Sequence, residues 1–316
     1  MKRVERTILL ADGDGLGAKP RPELIAPVLG HLRVTLVDSV RMGFLHASRS
    51  RGRAPEFIGA AADVRFVSHS ASAEGGTLLR FEVPPFGEVA DHIFRQTKLW
   101  DDGPKPGQTA FELLGAAIGD VSAHRLDSSR FDTGLLQRIG SYSRVLNKGI
   151  GRIQLIDVDL PGSTQIDDGI VKSAAELVAV TPPVRRIRVT GRLDLMGASQ
   201  GILKIHLQRG AVVTALWFGT EPVEKLKEFF SRDVTVEGEG VFRPSGSLLR
   251  IDADAVAPAS KQDEFFRQLP HAVAERDNVN QARLRVGEKS AYPQILGSIP
   301  GEESDEDFAM AVEEMS

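Results

Sequence analysis

The alternation of apolar and polar residues between Arg185 and Pro258 restricts the possible folds more than any other feature of this chain. It predicts strands at 185–195, in "ILKIHLQ" and in "AVVTALWF", then a short helix at 221–230 and two last strands in "DVTVEGEGVF" and "SLLRIDADAV". A period of two is typical of strands with one buried face. Over about 75 residues, this order predicts a small five-stranded β-barrel of the OB type, with an SH3-like barrel or an open sheet as alternatives.

The first half of the chain mixes helical and strand patterns. The long amphipathic helix predicted from Pro22 to His46 has apolar residues every three or four positions. Gly75 and Gly76 form a predicted hairpin turn between two alternating segments. The expected strands are 4–11, 62–69, 76–84 and 152–158, and the other expected helices are 108–123 and 133–149. The element order is therefore β-α-β-β-α-α-β, which makes this part an α+β domain.

These patterns define five segments. We predict an α+β domain in 1–158, a linker in 159–184, an OB-like barrel in 185–258, a flexible linker in 259–296 and an acidic amphipathic tail in 297–316.

Composition limits the function classes. None of the 316 residues is cysteine, which excludes disulfides, thiolate metal sites and a cysteine nucleophile. The apolar run near the N-terminus, "ILLA", is too short for the core of a signal peptide, and no apolar stretch is long enough to span a bilayer. We expect a cytoplasmic protein.

The stretch "ILLADGDGLGA" is the main candidate for catalytic chemistry. It resembles the nucleophile loop of haloacid-dehalogenase phosphatases, in which Asp12 would be the nucleophile and Asp14 the acid/base. Leu16 stands where that family has threonine, and no doubly wound βαβ series follows. A dinucleotide-binding loop and a calcium loop also match in part, but Pro20 and Pro22 oppose the first, and Leu16 falls at a calcium-ligand position. A simple Gly/Asp turn is the favoured interpretation.

No metal or cofactor site is expected. The seven histidines show no H-x-H, H-x-x-x-H or H-E-x-x-H spacing, and neither a P-loop nor a G-x-S-x-G motif is present.

Two groups of basic residues could bind nucleic acid. One group follows the first long helix, in a stretch without acids from 41 to 55, and comprises Arg41, Arg49, Arg51 and Arg53. The other lies on the first two barrel strands and comprises Arg186, Arg188, Arg192 and Lys204, with His206 beside them. Adjacent antiparallel strands could join the second group into one basic strip. A solvated outer sheet face remains the alternative.

The C-terminal stretch "GSIPGEESDEDFAMAVEEMS" has seven acids and no base, although the net charge of the whole chain is −4, so residues 1–296 sum to about +3. Within the predicted docking tail Glu302–Met315, Ser304 can cap a helix whose first turn contains Asp305 and Glu306. Its narrow apolar face comprises Phe308, Val312 and Met315. Because so short a helix is marginal alone, it is expected to dock on another surface, either the protein's own body or a partner protein.

This stretch resembles the G-x-W-P-G-[DE]-E-[ST]-D-E-E tails of bacterial antitoxins, with Ile299 where those tails usually have tryptophan. The wider pattern is similar to a group of uncharacterised bacterial proteins. They combine an α+β domain, a barrel of the "VTGRLDLMGASQGILKIHLQRG" kind, an "FFRQLP" segment and such a tail. The resemblance implies a toxin-neutralising or accessory role in which the tail occupies the cation-lined or RNA-binding groove of a ribonuclease toxin.

The leading hypothesis is therefore a non-enzymatic, cytoplasmic binding protein whose acidic tail docks on a partner protein. A nucleic-acid-binding module that uses the basic barrel face is the second hypothesis. A phosphatase-like enzyme that uses Asp12 and Asp14 is the third.

Overall fold

The computed structural model describes residues 2–49, 55–73, 75–96, 103–156, 164–197 and 201–272. The predicted tail, with Asp305, Glu306, Phe308, Val312 and Met315, lies outside these residues. The fold is α+β and contains a closed five-stranded β-barrel.

The α+β part is built on one antiparallel sheet. Its strands are β1 (Val4–Ala11), β2 (Arg65–Ala71), β3 (Thr77–Val83), β4 (Arg152–Leu155) and β5 (Gln165–Ile166), in the order β2-β3-β1-β4-β5. The helices are α1 (Pro22–Leu45), α2 (Glu56–Ala61), α3 (Phe86–Val89), α4 (Asp91–Gln96), α5 (Ala110–Ser122), α6 (Thr133–Gly140), α7 (Ser143–Leu146) and α8 (Asp168–Val180).

The long first helix confirms its prediction. Pro22 occupies an N-terminal position at which a missing N–H costs nothing, and the helix ends at His46, whose φ of 55° is left-handed. Leu24, Val28 and Leu36 lie on its buried face. This face and the sheet enclose the larger of two apolar cores.

Two predictions for this part were wrong in detail. The helix expected over 133–149 is divided into α6 and α7 at Ser141 and Tyr142. The stretch predicted as a linker contains α8, which packs against α5 and α6. Asp167 caps α8 by accepting a hydrogen bond from the backbone N–H of Ile170 at 2.9 Å.

The barrel confirms the predicted sequence of three strands, a helical segment and two strands. Its strands are β6 (Arg185–Gly197), β7 (Ile202–His206), β8 (Val212–Trp217), β9 (Asp233–Phe242) and β10 (Leu248–Pro258). The order β10-β8-β7-β6-β9 closes because β9 also pairs with β10, so the open sheet was the wrong alternative. The helical segment is a 3₁₀ helix, Val223–Phe229. A second core, which includes Val189, Leu203 and Ile251, fills the barrel.

The barrel packs directly on the α+β part. Four barrel residues belong to the larger core instead of the barrel's own: Ile202, Leu216, Val241 and Leu249. The turn between β9 and β10 adds polar contacts, because the hydroxyl groups of Ser245 and Ser247 donate to Asp127, with Ser247 at 2.9 Å. The two parts therefore contact each other through both apolar and polar side chains.

Candidate functional site

The Asp12–Asp14 loop is exposed and follows an antiparallel strand. Asp12 has a φ of 58°, and its Oδ2 lies 3.1 Å from Nε of Arg152. The neighbours of β1 are β3 and β4, and both run antiparallel to it. A phosphatase or dinucleotide loop needs parallel βαβ neighbours to bring further groups to the same sheet edge. Among the described residues, the antiparallel neighbours of β1 therefore do not provide the parallel βαβ setting that such a loop needs.

Histidine and carboxylate side chains are the possible metal ligands in the part of the chain that the structure describes. Within it, no group of three or more His, Asp or Glu side chains is placed to hold an ion. In the same residues, no helix combines the length and the apolar character that crossing a bilayer requires.

The three predicted barrel arginines lie on one face of β6, and each is paired with an acidic side chain. Arg186 contacts Asp254 through two hydrogen bonds of 2.7 and 3.0 Å. Nε of Arg188 lies 2.8 Å from Oε1 of Glu237. Nε of Arg192 lies 3.7 Å from Oδ1 of Asp194. The three carboxylates cancel most of the charge that the sequence pattern placed on this face.

Lys204, the fourth predicted residue, is oriented differently. Its side chain is partly buried and donates a hydrogen bond of 2.7 Å to Thr214. The positive charge of Lys204, together with those of Arg250 and Arg243, helps to lower the pKa of His46 in the α+β part. Lys204 therefore belongs to the contact between barrel and α+β part.

An open cleft lies between β6 and the 3₁₀ helix Lys261–Arg267, with a volume of about 660 Å³. Arg186, Arg188 and Glu237 line one side, and Phe265, Phe266 and Leu269 line the other. The guanidinium carbon of Arg188 lies 5.8 Å from the centroid of the Phe266 ring, within the range of a cation–π interaction.

Phe265 is the most exposed large apolar residue described, since 84 % of its surface is accessible. It packs edge-on against Phe266, with 5.8 Å between the ring centroids. This cleft was not predicted from the sequence, although the two adjacent phenylalanines in a polar segment were the available signal. Aromatic and arginine side chains together are typical of protein-binding surfaces.

No protein-family model, no curated protein and no solved structure matches this chain.

Proposed function

We propose that this chain is a cytoplasmic, non-enzymatic binding protein, antitoxin-like or accessory, that docks on a partner protein. Two features of the sequence support an acidic docking segment at 297–316. The segment carries seven acids against a body of about +3, and it combines a helix cap with the narrow apolar face of Phe308, Val312 and Met315. A ribonuclease toxin, whose active site must hold metals and phosphates, is a partner of matching charge.

We infer further that the barrel is of the OB type. The first strand pairs with the second and the fourth, and the third strand pairs with the fifth in parallel through Ile251 and Ala215. A helical segment connects the third and fourth strands. OB barrels serve as platforms whose outer faces and loops bind ligands.

The observation that best supports a protein partner is the exposed ring of Phe265 beside the ion-paired Arg186 and Arg188. Phe265 is accessible to solvent over 84 % of its surface, which is unfavourable for an apolar side chain. Burial of this side chain by a partner would lower the free energy of the complex. The arginines have carboxylate partners already, so this face offers little of the unpaired positive charge that phosphates need. The nucleic-acid hypothesis for the barrel face thus receives less support than the protein hypothesis.

A comparative capture experiment tests the proposal. The tagged full chain, a chain that ends at 296 and a Phe265→Ser variant would be incubated with lysate of the source organism. Phe230→Ser is the matched control, because Phe230 is also exposed but is not among the cleft residues.

We expect a specific protein that the full chain and the control retain, and that both other chains lose. A protein retained equally by the full and shortened chains would contradict the role of the segment. Equal retention by Phe265→Ser would contradict the role of the cleft.

A further inference from the structure

One buried carboxylate in the α+β part is paired with an arginine and lies within the electrostatic range of two more. Nε of Arg138, on α6, lies 3.0 Å from Oδ2 of Asp38 on α1. Arg41 follows Asp38 by three positions, and so lies on the same helix face. Burial raises the pKa of Asp38, and the charges of Arg138, Arg49 and Arg41 oppose this rise. We call Arg41, Arg49 and Arg138 the arginine cluster.

The arginine cluster has more positive charge than the Asp38 carboxylate can neutralise. It also has more N–H donors than this carboxylate can accept hydrogen bonds from. Asp38 is one anion for three guanidinium groups, and its own hydrogen bond comes from Arg138. The Nε–H of Arg41 is buried, and the described residues provide no acceptor for it. Arg49 is exposed, and its Cδ lies 3.5 Å from the position that a Cβ on Gly134 would occupy. A ligand with several acceptor oxygens would accept hydrogen bonds from the guanidinium N–H groups that reach the surface, foremost those of Arg49.

Among the described residues, the apolar side chains near the cluster offer little of the exposed area that a protein partner would use, with Val34 of α1 at 39 % exposure. The large apolar residues next to it in sequence, Met42, Phe44 and Leu45, are at most 6 % exposed because they belong to the core. The sequence from 41 to 55 contains no acid. Arg49 is exposed, Arg41 and Arg138 are half-buried, and Val34 is the nearest exposed apolar side chain on the described part of α1. A surface with this much positive charge and so little apolar area fits a repeating anion better than a protein interface.

We propose that Arg41, Arg49 and Arg138 bind the phosphodiester backbone of a nucleic acid. The planar guanidinium group donates two parallel hydrogen bonds, a geometry that matches phosphate oxygens. Binding of this kind releases counterions and carries no base readout, so it is sequence-independent and sensitive to salt. This site is separate from the barrel cleft and does not rest on the proposed protein partner.

Fluorescence anisotropy on the full chain tests this site. The probes are labelled single-stranded RNA, single-stranded DNA and duplex DNA of about 20 nucleotides, longer than the site of a typical single module. A labelled polyglutamate peptide of similar charge is the fourth probe. Arg49→Ala is the main variant because Arg49 is exposed, and Arg33→Ala, which removes an exposed arginine of α1 outside the cluster, is the matched control.

We expect Arg49→Ala to weaken oligonucleotide binding about fivefold or more, as the loss of a charged hydrogen bond would. The slope of log K against log salt should fall by about 1. Arg49→Lys should retain part of the affinity, and Arg33→Ala should match the wild type. The ranking of the three nucleic-acid probes identifies the preferred strand type.

Three results would overturn the proposal. The first is no oligonucleotide binding at low salt, and the second is an equal loss in Arg33→Ala and Arg49→Ala. The third is polyglutamate binding as tight as that of the oligonucleotides and equally weakened by Arg49→Ala, which would assign the cluster to acidic proteins. Circular dichroism melts of each variant confirm that the fold is intact.

Discussion

Arg250, on the last barrel strand, donates a hydrogen bond of 3.2 Å to Asp132, the N-cap of helix α6 in the α+β part. Each side chain is only 6 % exposed. The same guanidinium group donates to the carbonyl of His46 at the end of α1 at 2.9 Å and to Asp252 at 2.8 Å. Asp132 also accepts from the backbone N–H groups of Ser48 and Leu135. A single arginine thus connects the barrel to two helix ends.

Removal of Arg250 should destabilise the fold strongly. Arg250→Ala leaves Asp132 as a buried charge without its ion-pair partner and the carbonyl of His46 without its side-chain donor. We expect the free energy of unfolding to fall by about 3 to 5 kcal/mol. Urea denaturation measures this change. Arg186→Ala, which removes an exposed ion pair, should cost far less and is the control. Equal costs would show that burial does not set the strength of the Arg250 contact.

The stability of the protein should depend on pH through His46. Burial, together with the charges of Lys204, Arg250 and Arg243, lowers the pKa of His46 to about 4. Between pH 6.5 and 4 the unfolded chain takes up a proton at this position and the folded chain does not, so stability is lost as the pH falls. The loss should amount to about 2 to 3 kcal/mol.

This prediction is checked by urea denaturation of the wild type and His46→Asn at pH 7 and pH 4.5. Asparagine is the chosen replacement because it tolerates the left-handed backbone at this position. The wild type should lose about 2 kcal/mol more than the variant on acidification. Parallel losses in both proteins would disprove the role of His46.

Gly75 and Gly76 provide a matched test of close backbone packing. Both have positive φ values, but a Cβ on Gly76 would lie 2.2 Å from the carbonyl oxygen of Leu10, whereas nothing lies within 4 Å of one on Gly75. Gly75→Ala should therefore cost about 1 kcal/mol from backbone strain alone. Gly76→Ala should cost at least about 2 kcal/mol more, because the hairpin must move away from β1. Thermal unfolding should rank the variants in this order, and the reverse order would contradict the packing argument.

The hydroxyl group of Tyr142 should contribute measurably to the larger core. It donates a hydrogen bond of 3.2 Å to Thr35, whose own hydroxyl donates to the carbonyl of His31 at 2.7 Å. Burial raises the pKa of Tyr142 to about 12. Tyr142→Phe should cost about 0.5 to 1.5 kcal/mol. In a double-mutant cycle with Thr35→Val, a coupling energy near zero would show that this bond contributes nothing.

Some features could be predicted because their signals are local. The barrel strands alternate in sequence because alternate side chains point to opposite faces of a strand. Helix α8 also has a local signal, since Asp167 stands at the cap position and Ile170, Ala174 and Leu177 recur at helical spacing. Its absence from the predicted order was thus an error of interpretation.

The sequence by itself determined the α+β class, the element order of the barrel and the acidic end of the chain, because periodicity and charge are properties of neighbouring residues. Only the tertiary structure decided the antiparallel order of the sheet, the cleft beside Phe265 and the ion pairs of Arg186 and Arg188. It alone also placed Arg250 against Asp132, which is 118 positions away. These contacts join residues from distant segments, and their energy depends on burial and distance, which no local pattern contains.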